Sequence, residues 1–136
     1  MHQDRSAERQ LQELSEHDCW NLVSSAVVGR MAWQGSGGIT IVPVNFVLDG
    51  REVLVRTAAY SAMARECDDA AVAFEVDRHD PMARSGWSVL IRGRAHVEFR
   101  AHSDEPGVDV WPSGARPLHL RLDPTSVSGR RLRPSS

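Results

Sequence analysis

The chain has 136 residues, of which 41% are hydrophobic and 25% are charged, a size and composition that suit one compact domain. Sixteen basic residues against 18 acidic ones give a net charge of −2, so the chain lacks the excess positive charge that general nucleic-acid binding requires. No apolar stretch reaches the ~20 residues that span a bilayer and no apolar signal segment is present, so we expect a cytoplasmic protein with neither nucleic acid nor membrane as partner.

The composition also limits the chemistry of any site. All sixteen basic residues are arginine, so Schiff-base chemistry on a lysine is excluded and arginine is the side-chain cation available for phosphate. Cys19 and Cys67 lack CxxC spacing, which predicts two buried free thiols rather than a disulfide framework or a zinc site. The six histidines form no HxH or HExxH pattern, and no nucleophile elbow is present, so no metal site is predicted and the catalytic residues remain unassigned.

The first third of the chain changes from helical to strand-like periodicity. Residues 1–14 are polar with a helical tendency, and we expect them to form a flexible N-terminal segment. Ser15 can cap a helix that carries apolar residues at helical spacing and that Gly29 would end. Strands are predicted at 29–33 and 39–48. The glycines between them indicate a turn, because a phosphate-binding loop would need a helix after it.

The remaining strands follow from turn and cap signals. The pair Asp49-Gly50 predicts a hairpin that returns over 52–57, and Ser61 can cap a short helix over 61–69. Further strands are predicted at 71–77, 86–99 and 117–124, with a loop or short helix over 101–116 and a basic tail at the end. Antiparallel strands with two helices indicate a mainly β fold, a small closed or split barrel.

The predicted strand over 39–48 carries the most informative feature, a proline. The strand is apolar on both faces, so we expect both to be covered, one of them by a second copy of the chain in a homodimer. Pro43 removes a ladder donor, which indicates that one side of the strand does not pair there. The backbone groups of Val42, Val44 and Asn45 would then match the imide edge of a flat heterocycle. An ordinary edge strand or a bulge explains the proline equally well.

A second set of residues suits a phosphate. Arg56 and Thr57 end the next strand, and Ser61 begins a helix whose free N–H groups carry a partial positive charge. Guanidinium, hydroxyl and helix amides are the donors that a phosphate site needs. The alternative interpretation is an exposed arginine beside a simple serine cap.

Taken together, several segments resemble one known family. They are GRMAW, ITIVPVNFVLDG, VLVRTAAYSAMA, VAFEVDRHDP, GWSVLIRGRAHV and PLHLRLDPTSVSGRRL. In this order they resemble the pyridoxamine 5′-phosphate oxidase-like family of FMN-binding split β-barrels, and most closely its short actinobacterial-type branch, over residues 15–133. The resemblance implies a six-to-seven-stranded antiparallel split barrel, with residues 134–136 as a short tail, and a homodimer that holds the flavin at the subunit interface.

The resemblance also implies where a flavin would lie. It places the isoalloxazine ring along five consecutive residues, Val42, Pro43, Val44, Asn45 and Phe46. It places the ribityl phosphate near Arg56, Thr57, Ser61 and the position of Ala62. Ser88, just after Trp87, falls where the family has a polar flavin contact. Trp111, Arg130 and Arg131 resemble segments that reach the partner's site.

One departure from the family concerns the phosphate. After the serine the family commonly carries a basic residue, often lysine, whereas this chain has Ala62 and Met63. The missing charge-assisted hydrogen bond is worth about 1.5–3 kcal/mol, and Arg65 could compensate from one turn further along.

The resemblance implies an FMN-dependent oxidoreductase that moves electrons between a reduced nicotinamide and a small acceptor. The alternative is a non-catalytic or degenerate member of the fold. Such a protein would hold a deazaflavin, haem or another planar ligand, or would serve only as a dimeric scaffold.

Overall fold

The computed structural model describes residues 9–58, 61–99 and 117–134. These residues form seven strands and two short helices, which confirms the predicted mainly β, antiparallel architecture. The elements are β1 (Arg9–Glu13), α1 (Glu16–Ser24), β2 (Val28–Gly35), β3 (Gly38–Asp49), β4 (Glu52–Ala58), α2 (Ala62–Cys67), β5 (Ala70–Asp80), β6 (Ser85–Phe99) and β7 (Pro117–Pro134). The predicted loop over 101–116, with Trp111, lies outside the described residues. Neither helix is long and apolar enough to cross a membrane.

The strands form one sheet that closes into a barrel with an opening in its wall. The order is β1-β7-β4-β3-β2-β5-β6, and β7 also pairs with β6. β3 and β4 pair only from Phe46 opposite Val55 to Asp49 opposite Glu52. In the described part of the chain, residues 38–45 of β3 pair with β2 alone, and residues 56–58 of β4 pair with β7 alone. We call the opening between these two stretches the split, and it confirms the predicted split barrel.

The barrel interior is filled by the inward faces that the strand patterns predict. Val72, Phe74 and Val76 of β5 are buried, and the rings of Phe46 and Phe74 meet edge to face with centroids 5.0 Å apart. On β6, apolar residues such as Ile91 are buried while Arg92 on the other face is exposed. Cys19 and Cys67 are buried and free, as predicted.

The first helix ends earlier than its apolar pattern predicts. Ser15 caps α1 as expected, because its Oγ accepts a hydrogen bond from the backbone N–H of Asp18 at 3.1 Å. The helix ends at Ser24, not at Gly29. Ser24 and Ser25 end the helix by donating their hydroxyls to backbone carbonyls three residues back, at 2.7 and 2.6 Å.

Gly29 has a packing role rather than a capping role. It lies in β2, where a Cβ would stand 2.4 Å from Cζ of the Phe74 ring. The glycine therefore lets the strand lie directly against a fully buried ring.

The two ends of the chain also differ from the prediction. Residues 9–13 are not helical but form β1, and the predicted basic tail is the second half of β7. The two segments pair with each other from Arg9 opposite Pro134 to Glu13 opposite Arg130. Neither segment shows a strand pattern by itself, because each acquires its structure from a partner more than a hundred residues away.

Candidate functional site

The edge of β3 that faces the split is fixed by the hairpins at its two ends. Gly50 has a φ of 61°, which suits the two-residue turn that joins Asp49 to Glu52, and the predicted Asp49-Gly50 hairpin is confirmed. Phe46 donates its backbone N–H to the carbonyl of Val27 on the β2 side at 3.0 Å. Backbone groups alternate between the two neighbours of a strand. Those of Ile41, Pro43 and Asn45 therefore point into the split.

This geometry explains why a proline is tolerated inside β3. The missing N–H of Pro43 would point into the split, so the β2–β3 ladder loses no hydrogen bond. Among residues 9–58, 61–99 and 117–134, Pro43 pairs with β2 alone, which confirms the prediction that one side of the strand is unpaired there.

The prediction that Val42 and Val44 present free backbone groups is wrong, because theirs point to β2. The turn at Asp49-Gly50 could have revealed this, since counting back from Asp49 in steps of two reaches Asn45, Pro43 and Ile41. The side chains of Val42, Val44 and Phe46 face the barrel interior, where Phe46 is buried and the two valines are half-buried.

Two of the four predicted phosphate residues, Thr57 and Ser61, meet on the other side of the split, at the end of β4. Ser61 caps α2, as predicted, by accepting the backbone N–H of Ala64 at 3.0 Å. Its Oγ lies 2.8 Å from Oγ1 of Thr57, which is buried. One of these hydroxyls donates to the other, and the second hydroxyl keeps a hydrogen that it can donate. Arg56 is exposed on the opposite face of β4, and Ala62 is exposed in the first turn of α2.

The remaining predicted site residues that the structure describes lie on β6 and β7 and form a separate group. Trp87 lies opposite Arg131 and Ser88 opposite Arg130 in the β6–β7 ladder. Ser88 and Arg130 line an outer depression of about 570 Å³ together with Glu75, while Trp87 packs against the core. Strands β2 and β5 lie between β6 and β3, so within one chain this group does not join the split. Trp111 lies outside the described residues.

Three charged or polar networks surround these groups and were not predicted. Arg30, which lies opposite Pro43, donates from Nε to Oε1 of Glu75 at 2.9 Å and from Nη2 to Oδ1 of Asp77 at 2.5 Å. Burial raises the pKa of Glu75 despite the hydrogen bond from Arg30. Cross-strand neighbours such as Arg30 and Glu75 become visible only when the strand register is known.

The second network contains Glu66 of α2, which accepts hydrogen bonds from Trp33 and Ser36 at the open end of the split. The third contains Arg121 of β7, which contacts Asp49, Glu52 and Glu98. The partners in these two networks are 23 to 72 positions apart along the chain, so no local pattern indicates them.

The outward face of β3 forms an exposed apolar row, which we call the β3 ridge. Its apolar side chains Ile39, Ile41 and Val47 are 79%, 63% and 61% exposed. A single chain covers only the inward face of this strand, as expected, and the cover of the outward face by a second copy stays a prediction. Exposed apolar rows of this kind mark surfaces that contact another molecule.

Comparisons with known proteins agree with this fold. The sequence model described as pyridoxamine 5′-phosphate oxidase matches residues 15–131. An uncharacterized protein of Mycobacterium tuberculosis is 39% identical over 91% of this chain and 87% of its own length.

Two solved structures are also similar. The FAD binding protein from Mycobacterium smegmatis is 31% identical, with a TM-score of 0.71 over 89% of this chain and 97% of its own. A conserved protein of unknown function from Corynebacterium diphtheriae is 34% identical, with a TM-score of 0.70 over 88% of this chain and 96% of its own. The predicted family is thus confirmed, and the chain belongs to the pyridoxamine 5′-phosphate oxidase family.

Proposed function

We propose that this protein is a homodimeric flavoprotein that binds FMN in the split and moves electrons between a reduced nicotinamide and a small acceptor. The observation that carries the proposal is the unpaired edge of β3 at Ile41, Pro43 and Asn45, which lies across an opening from Arg56, Thr57 and Ser61. The 31% identical protein from Mycobacterium smegmatis, which binds FAD, supports a flavin as the ligand. FMN and FAD share the isoalloxazine ring, the ribityl chain and the first phosphate.

The edge of β3 suits the ring because its hydrogen-bonding groups complement those of an imide. Ile41 and Asn45 each offer a backbone N–H and C=O toward the split, and Pro43 offers only a C=O. The pyrimidine end of an isoalloxazine ring carries C=O groups on either side of an N–H. A strand edge of this kind can hold such a ring much as it would hold a further strand.

The end of β4 suits the phosphate because two kinds of donor lie on adjacent residues there. The Thr57–Ser61 hydroxyl pair has one hydrogen to donate, and Arg56, the preceding residue of β4, carries a guanidinium that would reach the phosphate from the other face of the strand. Ala62 adds no charge, so we expect weaker phosphate binding than in relatives with a basic residue there.

In the proposed reaction the flavin supplies the electron chemistry, and the chain binds and orients it. The inward side chains of Val42, Val44 and Phe46 exclude water beside β3. We also propose the cytoplasm as the compartment, since the two buried cysteines form no disulfide.

The purified protein tests the proposal directly through its visible spectrum. We expect flavin bands, release of FMN on heating as identified by mass, and bleaching on anaerobic addition of NADH or NADPH. Release of FAD would support the proposal that the protein binds a flavin, but the bound flavin would then be FAD and not FMN. A deazaflavin spectrum, a Soret band, or a colourless protein that ignores added FMN and FAD would each contradict the proposal and favour the binding-protein alternative.

The proposed homodimer gives a prediction at the β3 ridge. The ridge joins the outward face of β2, where Val28 is 45% exposed, and a second copy would cover both. We expect a dimer at micromolar concentration by sedimentation, and a shift to monomer in Ile41→Asp because a buried unpaired carboxylate is costly. Met82→Asp is the matched control, since Met82 is 93% exposed on a turn. A monomeric parent protein would contradict the dimer.

A further prediction concerns Ala62. Ala62→Lys should tighten FMN binding about tenfold, because a new ion pair with the phosphate contributes about 1.5 kcal/mol. The lysine opposes the helix dipole, so the ligand-free protein should lose about 0.3–1 kcal/mol of stability. Flavin fluorescence titration at low salt measures the affinity. Ala71→Lys adds the same charge at an exposed position of β5 and should change the affinity for FMN little. Unchanged affinity in Ala62→Lys would place the phosphate elsewhere.

A further inference from the structure

Glu66 ties α2 to the β2–β3 hairpin through hydrogen bonds. Its Oε1 accepts the indole N–H of Trp33 at 2.8 Å. Its Oε2 accepts the backbone N–H of Ser36 at 3.2 Å and the hydroxyl of Ser36 at 3.0 Å. Glu66 belongs to α2, whereas Trp33 belongs to β2 and Ser36 to the β2–β3 turn. Three donors on one hairpin thus converge on one carboxylate of the helix.

The position of these bonds matters because the β3–β4 ladder is missing there. Helix α2 connects β4, which forms one side of the split, to β5, and its cap Ser61 is bonded to Thr57 of β4. The Ser36 turn leads into β3, which forms the other side. At ~3.3 Å per residue, the stretch 38–45 leaves roughly 25 Å of strand that no described residue pairs with on that side. The ladder from Phe46 to Asp49 joins the two sides at one end, and Glu66 joins them at the other.

Neighbouring residues of β2 pack closely around the carboxylate of Glu66. A Cβ at Gly35 would stand 2.6 Å from Oε1 of Glu66, so the absence of a side chain there leaves room for the carboxylate. Trp33 is buried and points its indole N–H at the same oxygen. The hydrogen bond from Trp33, followed by those from Ser36, lowers the pKa of Glu66 below its usual range.

We propose that Glu66 is a positioning residue that ties the two sides of the split together at its open end and so sets the width available to a ligand. A glutamine would not substitute, because its amide has one acceptor oxygen and its NH₂ would face a donor. The link between the two sides stands on the hydrogen bonds alone. Its effect on ligand affinity rests on the proposed function.

The experiment compares two variants with a matched control on the same helix. Glu66→Gln removes the charge and one acceptor, and Ser36→Ala removes a single donor from an exposed position. The control is Asp68→Asn, because Asp68 at the other end of α2 accepts the N–H of Val97 at 2.9 Å and so holds α2 to β6 rather than across the split. All three are measured without ligand by amide hydrogen exchange and by the NMR resonance of the Trp33 indole N–H.

We expect Glu66→Gln to speed exchange in the β2–β3 hairpin at least tenfold and to shift the Trp33 indole resonance. Ser36→Ala should act in the same direction more weakly. Asp68→Asn should leave both the hairpin exchange and the indole resonance unchanged. In FMN titrations, Glu66→Gln should raise Kd at least tenfold, and Asp68→Asn less than twofold.

The outcomes separate this inference from the proposed function. Unchanged hairpin exchange in both Glu66→Gln and Ser36→Ala would overturn the link. Faster exchange with an unchanged Kd would overturn the role of Glu66 in setting the width. If the parent protein binds no flavin, the proposed function fails, and the exchange and indole measurements still decide whether Glu66 holds the split.

Discussion

Replacing Arg121 by methionine is expected to lower the free energy of unfolding by about 2–3 kcal/mol, less than the loss of a fully buried ion-pair partner, because its three carboxylate partners are 36–58% exposed and partly screened by solvent. The Arg121 side chain is only 15% exposed, and its Nε donates to Oε2 of Glu98 at 2.6 Å. Its Nη1 contacts Oδ2 of Asp49 at 3.1 Å and a carboxylate oxygen of Glu52. Methionine keeps the apolar stem of the side chain but leaves three carboxylates without their shared cation.

The loss is large because the carboxylates come from three different strands. Asp49 and Glu52 flank the β3–β4 turn and Glu98 lies on β6, so Arg121 of β7 holds that turn against the rest of the barrel. Glu52 also shares a hydrogen bond with Asp123, which raises its pKa. The stability from that shared proton is complete below the ordinary pKa of about 4.5 and is lost as the pH rises through the folded-state value.

Urea unfolding at neutral pH measures the effect of Arg121→Met. Arg92→Met is the matched control, because Arg92 is exposed on β6 and its replacement should change stability by no more than about 0.5 kcal/mol. A loss below about 1 kcal/mol in Arg121→Met would mean that solvent already screens these charges as at an ordinary surface.

Local signals in the sequence were sufficient for the parts of the fold that depend on neighbouring residues. The Asp49-Gly50 turn, the Ser15 and Ser61 caps and the inward face of β5 follow from two-residue turns, side-chain caps and period-2 alternation. The end of α1 was mispredicted because Val28 joins the β2–β3 ladder, which overrides the helical spacing of the preceding apolar residues. The strand at 9–13 was missed because its partner is the end of β7.

For the candidate site, the sequence indicated which residues take part but not where their backbone groups and side chains point. Pro43 correctly indicated an unpaired side of β3, and Thr57 and Ser61 do meet at the end of β4. The backbone direction of Val42 and Val44 required the register of the strand. Glu66 gave no signal, because a glutamate in a short helix is typical of a solvated face, and only the fold brings Trp33 and Ser36 to it.

Arg56→Ala is expected to weaken FMN binding by about 2–3 kcal/mol, roughly 30- to 150-fold in Kd, if the proposed function is correct. With no lysine in the chain and alanine at position 62, Arg56 is the cation nearest in sequence to the Thr57–Ser61 hydroxyl pair. Its backbone is fixed by pairing with His119 of β7, so the guanidinium extends from a rigid strand. A charge-assisted contact with phosphate from such a position contributes more than a neutral hydrogen bond.

Flavin fluorescence titration at several salt concentrations separates this contact from a general change in charge. Because Arg56 is exposed, its interaction with phosphate is screened by salt, so the Kd of the parent should rise with salt more steeply than that of Arg56→Ala. Arg51→Ala removes the same charge from the β3–β4 turn, where Arg51 pairs with Glu16 at 3.2 Å, and should change Kd less than twofold. Equal affinities for the parent and Arg56→Ala would remove Arg56 from the site. A large loss with an unchanged salt slope would mean that Arg56 acts on the shape of the split instead of on the phosphate, since only a charge contact depends on ionic strength in this way.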